Sequence, residues 1–165
     1  MNAMRLTTAT TLNWAEDILR QLGDPVGQTL EVTVPSADPE PEVPSGDRAF
    51  TSRLEIHNGE GPTQPSTAAR RIGSVLVVLA FDDGSSTHVL LEDSITEAEA
   101  VALLAEQLQD AVLEHTGGTP VPPCPGHSHP AVAEVVDGVA CWTCPRGGKD
   151  GRTRPVLSGA AGHTA

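Results

Sequence analysis

All three cysteines of this chain and two of its six histidines fall between residues 124 and 144, in the runs Cys124-Pro-Gly-His127-Ser-His129 and Cys141-Trp-Thr-Cys144. Thiolate sulfur and imidazole nitrogen are the donors that hold a borderline-soft divalent cation such as zinc. Cys124 and His127 are separated by two residues, as are Cys141 and Cys144, with thirteen residues between the pairs. A turn of that length lets both of its end residues converge on one ion, and two such turns brought together supply four tetrahedral ligands. Pro125 fixes φ and Gly126 permits positive φ, as a tight turn between Cys124 and His127 requires. An odd cysteine count argues against a pure disulfide framework. The expected ligands are Cys124, His127, Cys141 and Cys144, around one structural Zn2+ per chain. His129 is the alternative: a set of Cys124, His127, His129 and Cys144 leaves Cys141 free.

The segment between the two runs has the means to bring them together. Val132 to Val136 and Val139 to Trp142 are β-rich, and Asp137-Gly138 between them is a two-residue hairpin signal. Residues 124–145 therefore resemble the zinc-ribbon class, in which a Cys-Pro-x-Cys turn, a hairpin and a second Cys-x-x-Cys turn hold one structural zinc. The departure is His127, where a ribbon more often has cysteine. The resemblance implies a metal that supplies folding energy, on the order of 10 kcal/mol in zinc-finger peptides. It implies melting of the ribbon under chelation while the N-terminal part stays folded. A redox role for Cys141-Trp-Thr-Cys144 would need a helix start to lower the thiol pKa, and Pro145-Arg146-Gly147-Gly148 is a poor one. A catalytic metal keeps a ligand position open, and four donors close this one. No Walker motif and no Gly-x-Ser-x-Gly occurs. The protein is accordingly expected not to be an enzyme.

The elements that must position these residues are visible upstream. Asn13 and Glu16 have capping-box spacing, followed by an apolar stripe of Trp14, Ile18 and Leu22, with Gly23 and Pro25 as the stop. Leu30, Val32 and Val34 alternate with polar residues as in a half-buried strand, and Phe50 to Ile56 repeats that pattern. Residues 35–46 hold four prolines and three acids, the composition of an extended, solvated loop. Ile72 to Phe81 is a nearly unbroken apolar run, expected to be a central strand covered on both faces. Asp83-Gly84 is a turn signal, and His88 to Glu92 is the return strand. Thr96 to His115 is the strongest helix pattern. Capping-box pairs open it, Val101, Leu104, Leu108 and Val112 form its core stripe, His115 caps its carbonyl end, and Gly117-Gly118 ends it. The fold class is α+β: a small antiparallel sheet with two helices on one face in the order α-β-β-β-β-α, followed by the ribbon-like hairpin. Three parts are expected: residues 1–116, an acidic α+β domain; 117–145, the ribbon-like module; and 146–165, a basic, glycine-rich, disordered tail.

Composition bounds the function class. The formal net charge is −12, with 19 acids against 6 bases in residues 1–120 but 3 against 4 in residues 121–165. The large region repels nucleic acid and anionic membranes, whereas the last 45 residues do not. Only 2% of residues are aromatic, so the core must be aliphatic. The longest apolar run, Val75 to Phe81, is too short to span a bilayer, and no signal-peptide pattern opens the chain. These features place the protein in the cytoplasm, away from membranes. A single lysine against nine arginines, with abundant Ala, Gly, Pro and Val, is the codon bias of a GC-rich genome. The composition resembles that of small zinc-ribbon proteins of high-GC bacteria and their phages, which would make a phage-encoded form virion-associated. The expected function is a binding or adaptor role in which the ribbon meets a protein partner. The alternative is nucleic-acid binding through residues 117–165, where Arg146, Lys149, Arg152 and Arg154 cluster.

Overall fold

The computed structural model describes residues 5–35, 73–147 and 153–159. The elements in these residues belong to one unit, built from residues 1–35 and 73–165. Among the described residues the order is α1 (Thr8–Gln21), β1 (Gln28–Thr33), β2 (Ser74–Phe81), β3 (Ser86–Glu92), α2 (Glu97–His115), β4 (Val132–Val136), β5 (Val139–Thr143) and β6 (Arg154–Pro155). This is an α+β fold with two three-stranded antiparallel sheets, ordered β1-β2-β3 and β4-β5-β6. The strand expected at Phe50 to Ile56 and the loop expected at residues 35–46 lie outside the described residues, apart from Pro35.

Helix α1 begins earlier than the Asn13 cap predicts. Thr7 is the cap, its hydroxyl accepting from the Thr10 N–H at 3.2 Å. The reason is burial: Thr11 is fully buried, so the apolar stripe starts there and continues through Trp14, Ala15, Ile18 and Leu19. At the other end Gly23 has φ +91°, and Asp24 N–H donates to the Leu19 carbonyl at 3.0 Å. That is a Schellman stop, which glycine reaches without a Cβ penalty. Helix α2 has the expected Thr96–Glu99 capping box and ends in the same motif at Gly117, with Gly118 N–H on the Leu113 carbonyl at 2.7 Å.

In the first sheet, the register sets Val32 opposite Val77 and Val77 opposite Val89, with Leu30 beside Leu79 and Val75 beside Leu91. Alternation places these side chains on one face, and α1 and α2 pack on it. Strand β2 is central, as its apolar run predicts, but only that face is fully covered. Leu76, Val78 and Ala80 on the other face are half-buried, and Leu90 beside them is 47% exposed. The flanking strands shield the middle one enough to permit an unbroken apolar run.

The second sheet shares the same core. Helix α2 touches β3 of the first sheet and both β4 and β5 of the second. Its buried set, Ala100, Val101, Leu104, Ala105, Leu108, Gln109 and Val112, covers about half its circumference. Trp142 is 1% exposed and belongs to the cluster that contains Leu104 and Leu108. Within the stretch expected to be a disordered tail, residues 154–157 pack onto the fold. Arg154–Pro155 pairs with β5, and Val156 is 0% exposed with its N–H on the Ala140 carbonyl at 2.9 Å. Val156 and the half-buried Leu157 are apolar residues that a glycine-rich composition conceals. No described helix is long and apolar enough to cross a membrane.

Candidate metal centre

The hairpin that presents the site forms as its sequence predicts. Asp137 and Gly138 have φ of +51° and +78°, both positive as a two-residue type I′ turn demands. Val132 pairs with Thr143 and Val136 with Val139. The open end of the hairpin, Val132 opposite Thr143, thus lies between the end of the first donor run and Cys144.

Each donor run folds into a turn that opens on a Cys-Pro dipeptide. His127 N–H donates to the Cys124 carbonyl at 3.1 Å, around Pro125 and a Gly126 with φ +81°. Proline at the second position and a positive-φ glycine at the third are the demands of a type II turn. The second turn is Cys144-Pro-Arg-Gly147, with Gly147 N–H on the Cys144 carbonyl at 3.0 Å. The chain then doubles back after His127, and Cys124 N–H meets the His129 carbonyl at 3.3 Å.

These turns gather Cys124, His127, His129 and Cys144, whose donor atoms all lie within 4.8 Å of one another. His127 Nδ1 is 3.5 Å from Cys124 Sγ and 3.2 Å from Cys144 Sγ, and His129 Nε2 is 3.9 Å from Cys144 Sγ. Metal–sulfur bonds of about 2.3 Å and metal–nitrogen bonds of about 2.0–2.1 Å give tetrahedral edges of roughly 3.3–3.8 Å. The His127 and Cys144 distances are close to those edges, and the set as a whole, spanning up to 4.8 Å, would have to draw in slightly around a four-coordinate ion. His129 is oriented to serve as a ligand. Its Nδ1–H donates to the Pro130 carbonyl at 2.9 Å, which leaves the Nε2 lone pair facing the sulfur. The two imidazoles stack, with centroids 4.9 Å apart.

Cys141 is outside the cluster, so the expected set of Cys124, His127, Cys141 and Cys144 is corrected at that position, and His129 takes its place. The cause is strand geometry. Cys141, Trp142 and Thr143 are extended within β5, and three residues of extended chain put Cys141 about 10 Å from Cys144. The Cys-Pro signal discriminates here: Cys124 and Cys144 precede proline and open turns, whereas Cys141 precedes Trp142. Cys141 is buried instead beside Glu134 and Pro155 in the sheet register.

The electrostatics follow from burial. Cys124 is 4% exposed, and burial, then the neighbouring Cys144 sulfur, pushes its thiol pKa up. Burial, then the Asp137 carboxylate, raises that of Cys141 as well. A metal at this site must therefore displace a firmly held proton from Cys124, and its affinity rises with pH.

Two glutamines that motif reading overlooks tie this region to the helices. Gln21 on α1 accepts from Trp142 Nε1–H at 2.9 Å and donates to the Val156 carbonyl. Gln109 on α2 donates to the Val121 carbonyl at 2.8 Å and the Ala131 carbonyl at 2.6 Å. The available signal for Gln109 is its place in an apolar stripe, four residues after Ala105 and three before Val112. His115 ends α2 as expected, but its side chain, expected to cap the helix carbonyls, bonds Asp83 at 3.1 Å and stacks on Phe81 at 4.1 Å.

Compared with protein-family models, with curated proteins and with solved structures, the chain matches none.

Proposed function

We propose that the protein is a non-catalytic binding protein whose C-terminal hairpin is held by one structural Zn2+ in a ribbon-like module, and that this module meets a protein partner in the cytoplasm. The observation that carries the reading is the convergence of two sulfurs and two imidazole nitrogens within 4.8 Å of one another. A soft S2N2 set favours zinc over the oxygen-seeking cations. Four protein donors fill the coordination sphere, which suits a structural ion and leaves no open position for a substrate. Three unpaired cysteines suit a reducing compartment. Exposed Val135 and Val139 beside the hairpin turn offer a partner an apolar contact.

The test has two steps. Elemental analysis of freshly purified protein should give one zinc per chain, and a Cys144→Ser variant should carry far less. Affinity capture from the native host should then recover a partner with the wild type and lose it with Cys144→Ser. Metal-free wild-type protein would end the zinc reading, and a partner retained by the variant would move the contact elsewhere.

A second reading rests on two exposed arginines, Arg146, two residues after Cys144, and Arg154, paired with Trp142 in the sheet, on a chain of net charge −12. Contact with phosphates through them predicts nucleic-acid binding by the full chain that weakens steeply with salt. An absence of binding at low salt would dismiss it.

A further inference from the structure

Three of the four donors, Cys124, His127 and His129, lie on one loop, and the two ends of that loop are fastened at the same place. Ala131 N–H donates to the Pro122 carbonyl at 2.9 Å, and Pro123 and Pro130 form an isolated bridge just inside that bond. Beneath it sits the Gln109 side chain. Its amide nitrogen donates to the Val121 carbonyl, where the chain enters the loop, and to the Ala131 carbonyl, where it leaves. Gln109 is 5% exposed, so both of its amide hydrogens are spent on these carbonyls away from water. A buried amide in an otherwise apolar stripe is costly unless it is satisfied. Here the satisfied pair joins the two feet of the ligand loop to α2.

We infer that Gln109 is a positioning residue for the metal centre, and that metal occupancy and the packing of α2 are coupled through it. The inference rests on the metal reading proposed above. In a free loop of this length the three ligands would have to be ordered by the ion itself, at the expense of its affinity. With both feet held, the Cys124–His127 turn and His129 arrive already facing Cys144. Linkage makes the effect reciprocal: an ion that fixes the loop also holds the two carbonyls against Gln109 and stabilises α2. Ligand-orienting groups beyond the ligands themselves commonly alter metal affinity by about 10–100-fold.

The experiment is a Co2+ titration of the full chain, followed by the cobalt d–d and sulfur-to-cobalt charge-transfer bands. Wild type should give a tetrahedral spectrum at one equivalent. Gln109→Met keeps the side-chain length but removes both donors, and it should bind Co2+ about tenfold or more weakly with its sulfur bands retained. Gln107→Met, the same change on a half-buried neighbour with no such bond, should match wild type. Absence of a cobalt spectrum in the wild type would sink the metal reading itself. A normal wild-type spectrum with unchanged affinity in a folded Gln109→Met would sink the coupling alone. Should that variant fail to fold, the wild type still decides the matter by nuclear magnetic resonance. The Gln109 side-chain amide signals should shift and exchange more slowly with solvent when metal is added. Unmoved Gln109 signals alongside shifted His127 and His129 signals would overturn the proposal.

Discussion

On one side of α2 the first sheet offers the core a face of valines and leucines drawn from three full strands, while the second sheet offers Ala131, Ala140, Trp142 and Val156 from strands of five, five and two residues and their flanks. The first region can bury enough apolar surface to stand on side-chain packing. The second cannot, because a β-hairpin with a two-residue third strand is marginal by itself. Two devices in the structure hold it, one large indole and two glutamine amides. The Cys/His cluster, loaded with metal as proposed above, would be a third, and would alone require something from outside the chain. The difference shows that a shared core need not mean a shared mode of stabilisation.

Metal removal should expose that difference most strongly, since a structural zinc contributes on the order of 10 kcal/mol in small peptides. Chelation is expected to open residues 121–131 and the turn at 144–147 to amide exchange, while the β2 amides from Val75 to Leu79 stay protected. Strand β5 should respond least within its own sheet, because Trp142 is anchored by Gln21 and by the common core. Hydrogen exchange read by mass spectrometry, with and without chelator, checks this. Simultaneous loss of protection in β2 would mean that the two regions form one cooperative unit, and the comparison would fail.

Trp142 is the second lever. Trp142→Ala removes the largest fully buried side chain and the Nε1–H bond to Gln21, and should cost about 3–5 kcal/mol. Denaturant unfolding would measure it. Because Trp142 lies where the regions meet, the loss should appear in both zinc-loaded and chelated protein. A loss confined to the zinc-loaded form would make the indole an accessory of the metal loop rather than part of the core.

Much of this arrangement is legible in the amino-acid sequence, for different reasons in the two regions. Period-2 alternation locates β1, an apolar run β2, the Asp83-Gly84 turn signal β3 and a period-3.6 stripe α2, and Gly23 and Gly117 mark the helix stops, because those signals are local. The hairpin turn at Asp137-Gly138 is equally local. What escapes a sequence reading is non-local. Thr11 counts as an apolar position only once α1 is packed, so the pattern alone starts that helix too late, at Asn13. Val156 looks like part of a loose tail until β5 is there to pair with its neighbours. The choice between Cys141 and His129 turns on whether residues 141–143 continue a strand or bend into a turn. Equal Cys-x-x spacing does not decide that, whereas the proline after Cys124 and after Cys144 does.

The smallest effect belongs to the first region and concerns charge rather than packing. At the β2–β3 turn the Asp83 carboxylate accepts from Ser85 N–H at 2.8 Å and Ser85 Oγ–H at 2.6 Å, and it faces His115 Nδ1 at 3.1 Å. The Ser85 donors first, then His115, lower its pKa from the ordinary 3.8 to about 2. A carboxylate with a depressed folded-state pKa contributes stability that is fully present above 3.8 and is lost as pH falls through about 2. The site is open to solvent, so the contribution is small. Asp83→Asn should therefore lose a little stability at neutral pH and show a shallower decline of Tm between about pH 4 and pH 2, by the difference that one carboxylate makes. Carbon-13 titration of the Asp83 carboxyl reads the cause directly, and a midpoint at the ordinary value would remove the argument. Protons compete with metal for thiolate and imidazole donors, so a metal-loaded second region should open at a higher pH than the one at which Asp83 titrates. That separation in pH is the comparison in its finest form, because one region would fail through its ligands while the other still held every carboxylate it uses.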